Sequence, residues 1–422
     1  MLLSLPAVPS LIAAPPLLPA TRPLRAGPLA SSHTVDEEQQ QRSELHALLK
    51  SLEPYAEQPL EDATTLPPAA YTSTALFERE VETIFRPGWL CVGHVCQVRE
   101  KGDYLTLDLL GELLLLVNDG TRLRVLSRVC THRWAPVVGE GRGTCKAFTC
   151  PFHFWSFRLD GSCIKAPLMD DSTAFDAIEH PLHEYRSEVV DGFVYVNLDG
   201  AAPPLSSQLA GMSQRLVSWR PDEMESYIEL TYDCPFNWKI VVETFMECYH
   251  HLGAHEATFE PNFPARLSWT EDARQLWTVG HAKPRPGREV SAFEAGLPRF
   301  PHLETEAERQ AFALYNVFPS QLLHAMPDRV LWFRLQPLSA ERTVVTTFCL
   351  VPPGTMQMED FEATRDEQRE LMDKINREDI AVNEMQQVGA RSGAVRPGKL
   401  NSKLEKALWQ LNAFVARAVC AH

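Results

Sequence analysis

The 422-residue sequence contains no uninterrupted apolar stretch long enough to cross a bilayer as a helix. It also has no G-x-G-x-x-G motif within a strand–helix–strand unit and no flavin motif, so the chain is not expected to collect hydride itself. A shortage of positive charge, with 40 basic against 55 acidic residues, gives a net charge of −15. That charge argues against nonspecific binding to nucleic acid or to an anionic membrane.

Dense cysteine spacing is missing too, which argues against a disulfide scaffold. We predict that eight of the ten cysteines are free thiols in a reducing compartment: Cys91, Cys96, Cys145, Cys163, Cys234, Cys248, Cys349 and Cys420. The hydrophobic content of 45% and the charged content of 23% are those of an ordinary soluble globular protein. The length favours two domains, each with its own core.

The N-terminal segment, residues 1–33, lacks acidic residues, since the first is Asp36, and it contains Arg22 and Arg25 among many Leu, Ala, Pro and Ser. This composition is typical of a transit peptide to a plastid or a mitochondrion, with simple disorder as the alternative. Prolines interrupt its apolar run, which argues against a secretory signal. We expect a chloroplast (stromal) location, with the mitochondrion or cytoplasm as alternatives, and we expect residues 34–87 to form a linker with helices.

Two short pairs of metal-ligand residues stand at the centre of the sequence. Cys130-Thr131-His132 is followed by Cys150-Pro151-Phe152-His153, so each pair supplies one cysteine and one histidine. Mixed ligation of this kind suits either zinc or a Rieske [2Fe–2S] cluster. A zinc finger groups its cysteines in one pair and its histidines in the other, so the arrangement favours the cluster. The alternative is a chance grouping of buried side chains.

The residues around these pairs read as short strands. Apolar or alternating runs at 105–109, 113–117, 123–129 and 193–198 are separated by turn residues. We therefore predict a small antiparallel β domain over 88–200, in which Gly139–Gly143 forms a loop between strands. A second domain is expected over 201–422, with strands at 227–232, 330–335 and 342–351.

A helical segment running from Asn237 through about His255 carries further candidate ligands. Its periodicity predicts a buried face with Trp238, Val242, Phe245 and Tyr249, whereas Glu243, Glu247 and His250 share the other face. His251 and His255 follow. Two histidines and a distant carboxylate make the iron(II) site of non-haem oxygenases. Spacing alone does not decide which histidines bind, because His251 and His255 would also make a pair.

A second helix, predicted at about 358–388, offers the third ligand. Leu371, Ile375, Val382 and Met385 form its expected apolar stripe, and both Glu378 and Asp379 lie on or beside it. An acid on a buried face needs a partner, which a metal would supply. Periodicity does not separate the two acids.

Together these patterns resemble the Rieske non-haem iron oxygenases, the family of the ring-hydroxylating oxygenase α-subunits, over about residues 75–415. Arg133, Pro151 and Trp155 match the family's C-x-H-R and C-P-Y-H patterns, with Phe152 in place of tyrosine and Phe154 where glycine is common. The family's acid-x-x-His-x₄-His pattern corresponds to Glu247, His250 and His255. Its E-D…Q-x-G pattern near the C-terminus assigns the third iron ligand to Asp379.

The resemblance implies an α+β fold, with an N-terminal Rieske β-sandwich and a C-terminal catalytic domain whose antiparallel sheet and helices are helix-grip-like. It implies cluster ligands Cys130, His132, Cys150 and His153 and mononuclear Fe(II) ligands His250, His255 and Asp379. Glu247 would carry electrons between the cluster of one subunit and the iron of the next in a homotrimer. A separate ferredoxin or reductase would donate the electrons. Thr244 replaces the asparagine of the family's E-N-F/Y pattern.

The expected activity is that of a monooxygenase using O₂. The Glu-Cys-Tyr-His string at 247–250 looks like the branch that oxidises quaternary amines such as carnitine and betaine, so a small methylated ammonium compound, as in choline monooxygenase, is the favoured substrate. Hydroxylation or demethylation of an aromatic or heterocyclic compound is the alternative. An electron carrier with an inactive second site is the rival from another class.

Overall fold

The computed structural model describes residues 35–172, 174–287 and 296–421, so residues 1–33 lie outside it. Within the described residues, contacts separate the chain into a unit that ends at Glu44 and a unit that begins at Leu45. The predicted N-terminal helix is present as α1 (Val35–Leu52). In the described ranges no helix is both long and apolar enough to cross a membrane. The domain boundary expected near residue 200 stays a prediction.

The first sheet has seven antiparallel strands in the order β1-β10-β9-β4-β3-β2-β5. The four strands predicted in this region are all present within two residues of the expected bounds. The strands are β1 (Leu90–His94), β2 (Asp103–Leu109), β3 (Glu112–Asn118), β4 (Leu123–Ser127), β5 (Arg142–Thr144), β9 (Glu184–Val190) and β10 (Phe193–Asn197). Arg142 and Gly143, expected in a loop, pair with β2 instead.

A smaller sheet has three strands: β6 (Phe148–Thr149), β7 (Ser156–Phe157) and β8 (Cys163–Lys165). In the sequence, these strands lie between β5 and β9 of the first sheet. One candidate cluster loop connects β4 to β5, and the other connects β6 to β7. Cys130 of the first loop and Cys150 of the second belong to one apolar core with Leu115, Phe148 and Phe157. Short strands and a shared core therefore hold both loops.

The second large sheet is also antiparallel, in the order β11-β17-β16-β15-β14-β13-β12. Its strands are β11 (Glu225–Cys234), β12 (Ser268–Thr270), β13 (Trp277–Ala282), β14 (Ala313–Val317), β15 (Gln321–Ala325), β16 (Val330–Ser339) and β17 (Arg342–Val351). The predicted α+β class is confirmed.

Helices α2 (Thr74–Glu80), α3 (Leu205–Leu216), α4 (Trp238–Met246), α5 (Glu306–Arg309), α6 (Phe361–Ala390) and α7 (Lys406–Val419) complete the fold. Helix α4 contacts β14 and β16 and also contacts α6 and α7. Its first turn is capped by Asn237, whose side chain accepts a hydrogen bond from the Lys239 amide at 3.0 Å. This packing brings α4 and α6, the carriers of the candidate iron ligands, together.

Two helix predictions need correction. The helix expected to reach His255 ends at Met246, because Glu247 has an extended backbone (φ −128°, ψ 153°), and a 3₁₀ turn at Tyr249–Leu252 follows. Tyr249, expected in the core, is exposed. On α6 the expected apolar stripe is wrong at Met385, which is 70% exposed.

The buried face of α6 is largely polar instead. Asn376 donates to the Thr347 hydroxyl at 3.3 Å, and Gln387 accepts from the Asn237 amide at 2.9 Å. Buried amides are tolerated where their hydrogen bonds are satisfied. Hydrophobic periodicity cannot detect such a face, because its residues read as solvent-exposed.

Candidate active site with two metal centres

The two cluster loops have the same backbone geometry. In the first, the Trp134 amide donates to the Cys130 carbonyl at 3.0 Å, and in the second the Phe154 amide donates to the Cys150 carbonyl at 3.0 Å. Trp134 and Phe154 both have left-handed backbone angles, with φ of 61° and 59°. Only glycine adopts this conformation without steric cost, which explains why glycine is favoured where Phe154 stands.

The four candidate cluster ligands converge. Cys130 and Cys150 are buried, whereas His132 and His153 are partly exposed and their rings lie 4.7 Å apart. Burial, with the neighbouring Cys150 sulfur, raises the pKa of the Cys130 thiol. The Nδ1 atom of His153 is buried and has no hydrogen-bond partner. Two adjoining thiols and a buried imidazole nitrogen left unsatisfied fit a [2Fe–2S] cluster held by Cys₂His₂.

The second centre is a group of three side chains. One ligand atom each from His250, His255 and Asp379 lies within 4.8 Å of the others, and this is the sole such group found among the described residues. The Asp379 Oδ1 atom is 2.9 Å from His255 Nε2 and 3.5 Å from His250 Nε2. The structure thus brings together the three residues predicted as iron ligands, and their donor set fits non-haem iron(II).

Each of the two imidazoles is held by a second carboxylate. Nδ1 of His250 lies 2.8 Å from Glu247 Oε1, and Nδ1 of His255 lies 2.7 Å from Glu378 Oε2. An acceptor at Nδ1 keeps the proton there and leaves Nε2 free to bind a metal. Although burial opposes it, the Glu247 carboxylate raises the pKa of His250.

The two acids on α6 therefore have different environments. Asp379 faces both Nε2 atoms, whereas Glu378 accepts hydrogen bonds from His255 and from the Thr258 hydroxyl, each at 2.7 Å. Because the two acids are adjacent on one helix, helical periodicity does not show which of them binds the metal. That Glu378 orients His255 was not predicted from the sequence. The one sequence signal for this role is the position of Glu378 next to the candidate ligand Asp379.

Glu247 also shapes the backbone that carries His250. Its Oε2 atom accepts hydrogen bonds from the amides of Tyr249 and, at 3.0 Å, His250. One carboxylate thus caps the 3₁₀ turn and binds the imidazole within it. Glu247 is itself only partly buried.

His251 does not join the metal group. Its Nδ1 atom lies 2.9 Å from the Phe263 carbonyl oxygen, and burial lowers its pKa to about 3. The group of ligand atoms that lie close to one another contains His250, His255 and Asp379 but not His251, so the alternative pairing of His251 with His255 is not supported, although His251 does line the adjoining cavity.

Glu243 was expected to share a face with Glu247 and His250, and this expectation is wrong. It is buried, accepts a hydrogen bond from the Tyr71 hydroxyl at 2.6 Å, and burial raises its pKa to about 7. The neighbouring Thr244 does line the cavity, where its hydroxyl donates to Asn383 Oδ1 at 2.5 Å.

The iron-ligand group opens onto a mainly apolar cavity of about 90 Å³, smaller than typical ligand sites of roughly 300–1,000 Å³, so a molecule bound there must be compact. Five aromatic residues line it: Tyr227, Phe245, Phe259, Phe312 and Phe333. Phe259 contacts the His255 ring, with centroids 5.1 Å apart, and also the Phe312 ring at 5.8 Å. An aromatic wall therefore runs away from the metal group.

Comparisons with known proteins identify two domains of known families in this chain. Residues 88–185 match the Rieske [2Fe–2S] domain, and residues 221–421 match the catalytic domain of ring-hydroxylating α subunits. The chain belongs to the Rieske non-haem iron oxygenases. Its cofactors are accordingly a Rieske [2Fe–2S] cluster and a mononuclear iron, and the protein is an enzyme.

Two bacterial relatives illustrate the similarity. The carnitine monooxygenase oxygenase subunit of Escherichia coli K12 is 29% identical over 348 residues, covering 80% of this chain and 87% of the relative. The glycine betaine monooxygenase oxygenase subunit of Pseudomonas aeruginosa UCBPP-PA14 is 26% identical over 376 residues, covering 81% and 86%.

Solved structures show the same fold. One is a quaternary ammonium Rieske monooxygenase described as revealing insights into carnitine oxidation and inter-subunit electron transfer. It has a TM-score of 0.74 at 24% identity, covering 87% of this chain and 98% of its own. Naphthalene 1,2-dioxygenase from Rhodococcus has a TM-score of 0.67 at 18% identity, covering 89% and 98%.

Proposed function

We propose that this oxygenase is a monooxygenase that hydroxylates a C–H bond of a small quaternary ammonium compound. The observation that carries the proposal is the opening of the His250, His255 and Asp379 group onto a cavity with aromatic walls. Aromatic faces attract a methylated ammonium group through cation–π interactions, which strengthen when water is excluded. The carnitine and glycine betaine monooxygenase relatives support this substrate class.

Different side chains of this protein have different roles in the proposed reaction. When bound, the cluster would supply single electrons and the iron would activate O₂. Glu247 and Glu378 orient the two imidazoles, and the aromatic walls exclude water and position the substrate beside the metal group. Incorporating one oxygen atom and reducing the other to water requires two electrons and two protons. A separate ferredoxin or reductase would provide the electrons.

We further propose a homotrimer in which Glu247 connects one subunit's cluster to the next subunit's iron. Apolar side chains around the cluster loops are exposed, including Trp134, Phe152 and Phe154. Exposed apolar surface of this kind is typical of an interface. The relative whose structure is described in terms of inter-subunit electron transfer supports the arrangement.

The N-terminal segment is proposed to be a plastid transit peptide on composition alone, with a stromal location for the enzyme. A fluorescent reporter carrying residues 1–33 tests this directly. Import into chloroplasts is expected, whereas a reporter that enters mitochondria or stays in the cytoplasm would contradict the proposal.

Turnover by anaerobically purified, iron-loaded enzyme tests the main proposal. With a ferredoxin, its reductase and O₂, we expect an oxidised product from glycine betaine, carnitine or choline, identified by mass spectrometry. Product from naphthalene or another aromatic compound, and none from the ammonium compounds, would contradict it. Aromatic compounds are the second candidate because the same aromatic walls could stack on a flat ring.

Glu247→Gln tests the electron path. With excess Fe(II) supplied, we expect this variant to keep both metal sites loaded but to lose at least about tenfold in turnover, whereas loss of the orienting contact alone would appear as weaker iron binding. Retained turnover would contradict a role for Glu247.

A further inference from the structure

A second cavity, of about 40 Å³, adjoins the aromatic cavity and is lined by residues of α4, α6 and strands β11, β16 and β17. The two cavities share five lining residues: Thr244, Phe245, Phe333, Asn376 and Asp379. One of the three candidate iron ligands, Asp379, therefore lines both cavities. The reaction described above uses only the first of them.

The rings of Phe245 and Phe333 form part of the wall between the two cavities. Their centroids are 4.9 Å apart, and the rings meet edge to face at 64°. Both side chains are only partly buried. A diatomic molecule needs much less room to pass such a pair than a methylated ammonium compound does.

Apolar side chains form most of the rest of the second cavity: Phe236, Val241, Val345 and Ile380. Its polar side chains already have partners, since the Thr244 hydroxyl donates to Asn383 Oδ1 at 2.5 Å and the Asn376 amide donates to the Thr347 hydroxyl at 3.3 Å. A water molecule needs roughly 10–15 Å³ of space and several polar partners, so this cavity has the room but few partners to offer. A small apolar molecule suits it better.

The second cavity also extends toward the protein surface between β11 and α6. Tyr232 and Ile380, which line it, are only partly buried. The Tyr232 hydroxyl donates to Asp373 at 2.7 Å, and Asp373 in turn pairs with Arg377, whose side chain is 67% exposed. Apolar walls therefore run from the surface side of α6 to the metal group without passing through the aromatic cavity.

The aromatic cavity, of about 90 Å³, has little room for a second molecule once an organic substrate occupies it. We propose that the second cavity holds O₂ and delivers it to the metal group from the side of Asp379 while the substrate fills the aromatic cavity. O₂ is small and apolar, which matches the size and the walls of the second cavity. The inference does not depend on which organic substrate the enzyme oxidises.

Xenon, a small apolar probe, tests the second cavity without any turnover. In crystals of the anaerobically prepared, iron-loaded enzyme under xenon pressure, we expect a xenon atom between Phe245 and Val345, because apolar cavities of proteins bind this gas. Ordered water in the second cavity, or the absence of xenon from it, would overturn the inference and leave the proposed function intact.

Variants of Val345, which lines the second cavity but not the first, test delivery. Val345→Phe should fill the second cavity, exclude xenon and slow several-fold the binding of nitric oxide, an O₂ analogue, to the Fe(II) site. Stopped-flow absorbance without an electron donor measures this rate, in one series with glycine betaine present and in another with naphthalene. Val344→Phe is the matched control, because neighbouring strand residues face opposite sides and Val344 lines neither cavity.

Iron content is measured first for each variant. If Val345→Phe loses iron, the smaller changes Val345→Leu and Val344→Leu give the same comparison. Equal rates of nitric oxide binding in the Val345 and Val344 variants, in both series, would overturn the inference even if xenon occupies the second cavity. A slower rate in the Val345 variant alone would support it.

Discussion

The two cluster loops and the mononuclear centre differ in how their candidate ligands are brought together. The cluster ligands all lie between Cys130 and His153, on two loops. In each loop, the residue four positions after the cysteine donates its amide hydrogen to the cysteine carbonyl and has a left-handed backbone. In the mononuclear centre, Asp379 on α6 meets His255 from 124 positions away in the sequence. Local backbone geometry therefore determines the first centre, whereas packing of α6 beside α4 determines the second. The second centre also needs two further carboxylates to orient its histidines.

The largest effect is expected from a cysteine of the locally built centre. Cys150→Ala should abolish the cluster's visible spectrum, labile sulfide and turnover, since a missing thiolate leaves one iron under-coordinated. Cys163→Ala is the control, because Cys163 is a buried thiol of the adjoining three-stranded sheet. The visible spectra and the sulfide contents of the two variants show whether each one still holds the cluster. A spectrum retained in Cys150→Ala would contradict the ligand assignment.

Loss of the mononuclear iron should leave the [2Fe–2S] cluster in place. Asp379→Ala is expected to lose the mononuclear iron and all turnover while keeping the cluster spectrum, because the three ligands come from elements remote from both loops. Asp366→Ala, an exposed acid on the same helix, should change neither. Metal analysis beside the visible spectrum gives the answer, and full iron in Asp379→Ala would refute the assignment.

A smaller effect is expected from the orienting acid. Glu378→Ala should weaken iron binding by about 10- to 100-fold without abolishing it, as loss of a carboxylate behind a metal-bound histidine does. Iron titration with a competing chelator measures the change, with the exposed Glu384→Ala as control. Loss as complete as in Asp379→Ala would show that Glu378 is itself a ligand.

The smallest effect concerns the left-handed residues of the cluster loops. Phe154→Gly should raise the stability of the subunit itself by about 1 kcal/mol, because glycine removes the steric cost of φ 59°, although it also removes apolar surface from the proposed subunit interface. Phe152→Gly, two residues earlier and without a positive φ, should lower it by about 0.5–1 kcal/mol. The temperature at which the cluster absorbance bleaches reports both. Equal destabilisation by the two changes would contradict the strain argument.

Sequence reasoning went furthest where the chemistry is contiguous. The paired Cys and His residues and the alternating strands near them suffice to predict the cluster loops, because ligands and turns repeat over a few positions. It did less well at Glu247, where one carboxylate capping the next turn ends a helix that periodicity extended to His255. The orienting role of Glu378 depends on a tertiary contact with His255, which no local pattern encodes.

The most direct test of two separate metal centres is the iron and sulfide content of the anaerobically purified enzyme, with an electron paramagnetic resonance spectrum after dithionite reduction. We predict two cluster irons with two sulfides, one further iron per chain and a Rieske-type signal. After anaerobic reconstitution with excess Fe(II), a protein that still lacked the further iron would contradict the second centre. Zinc in place of iron and sulfide would contradict both.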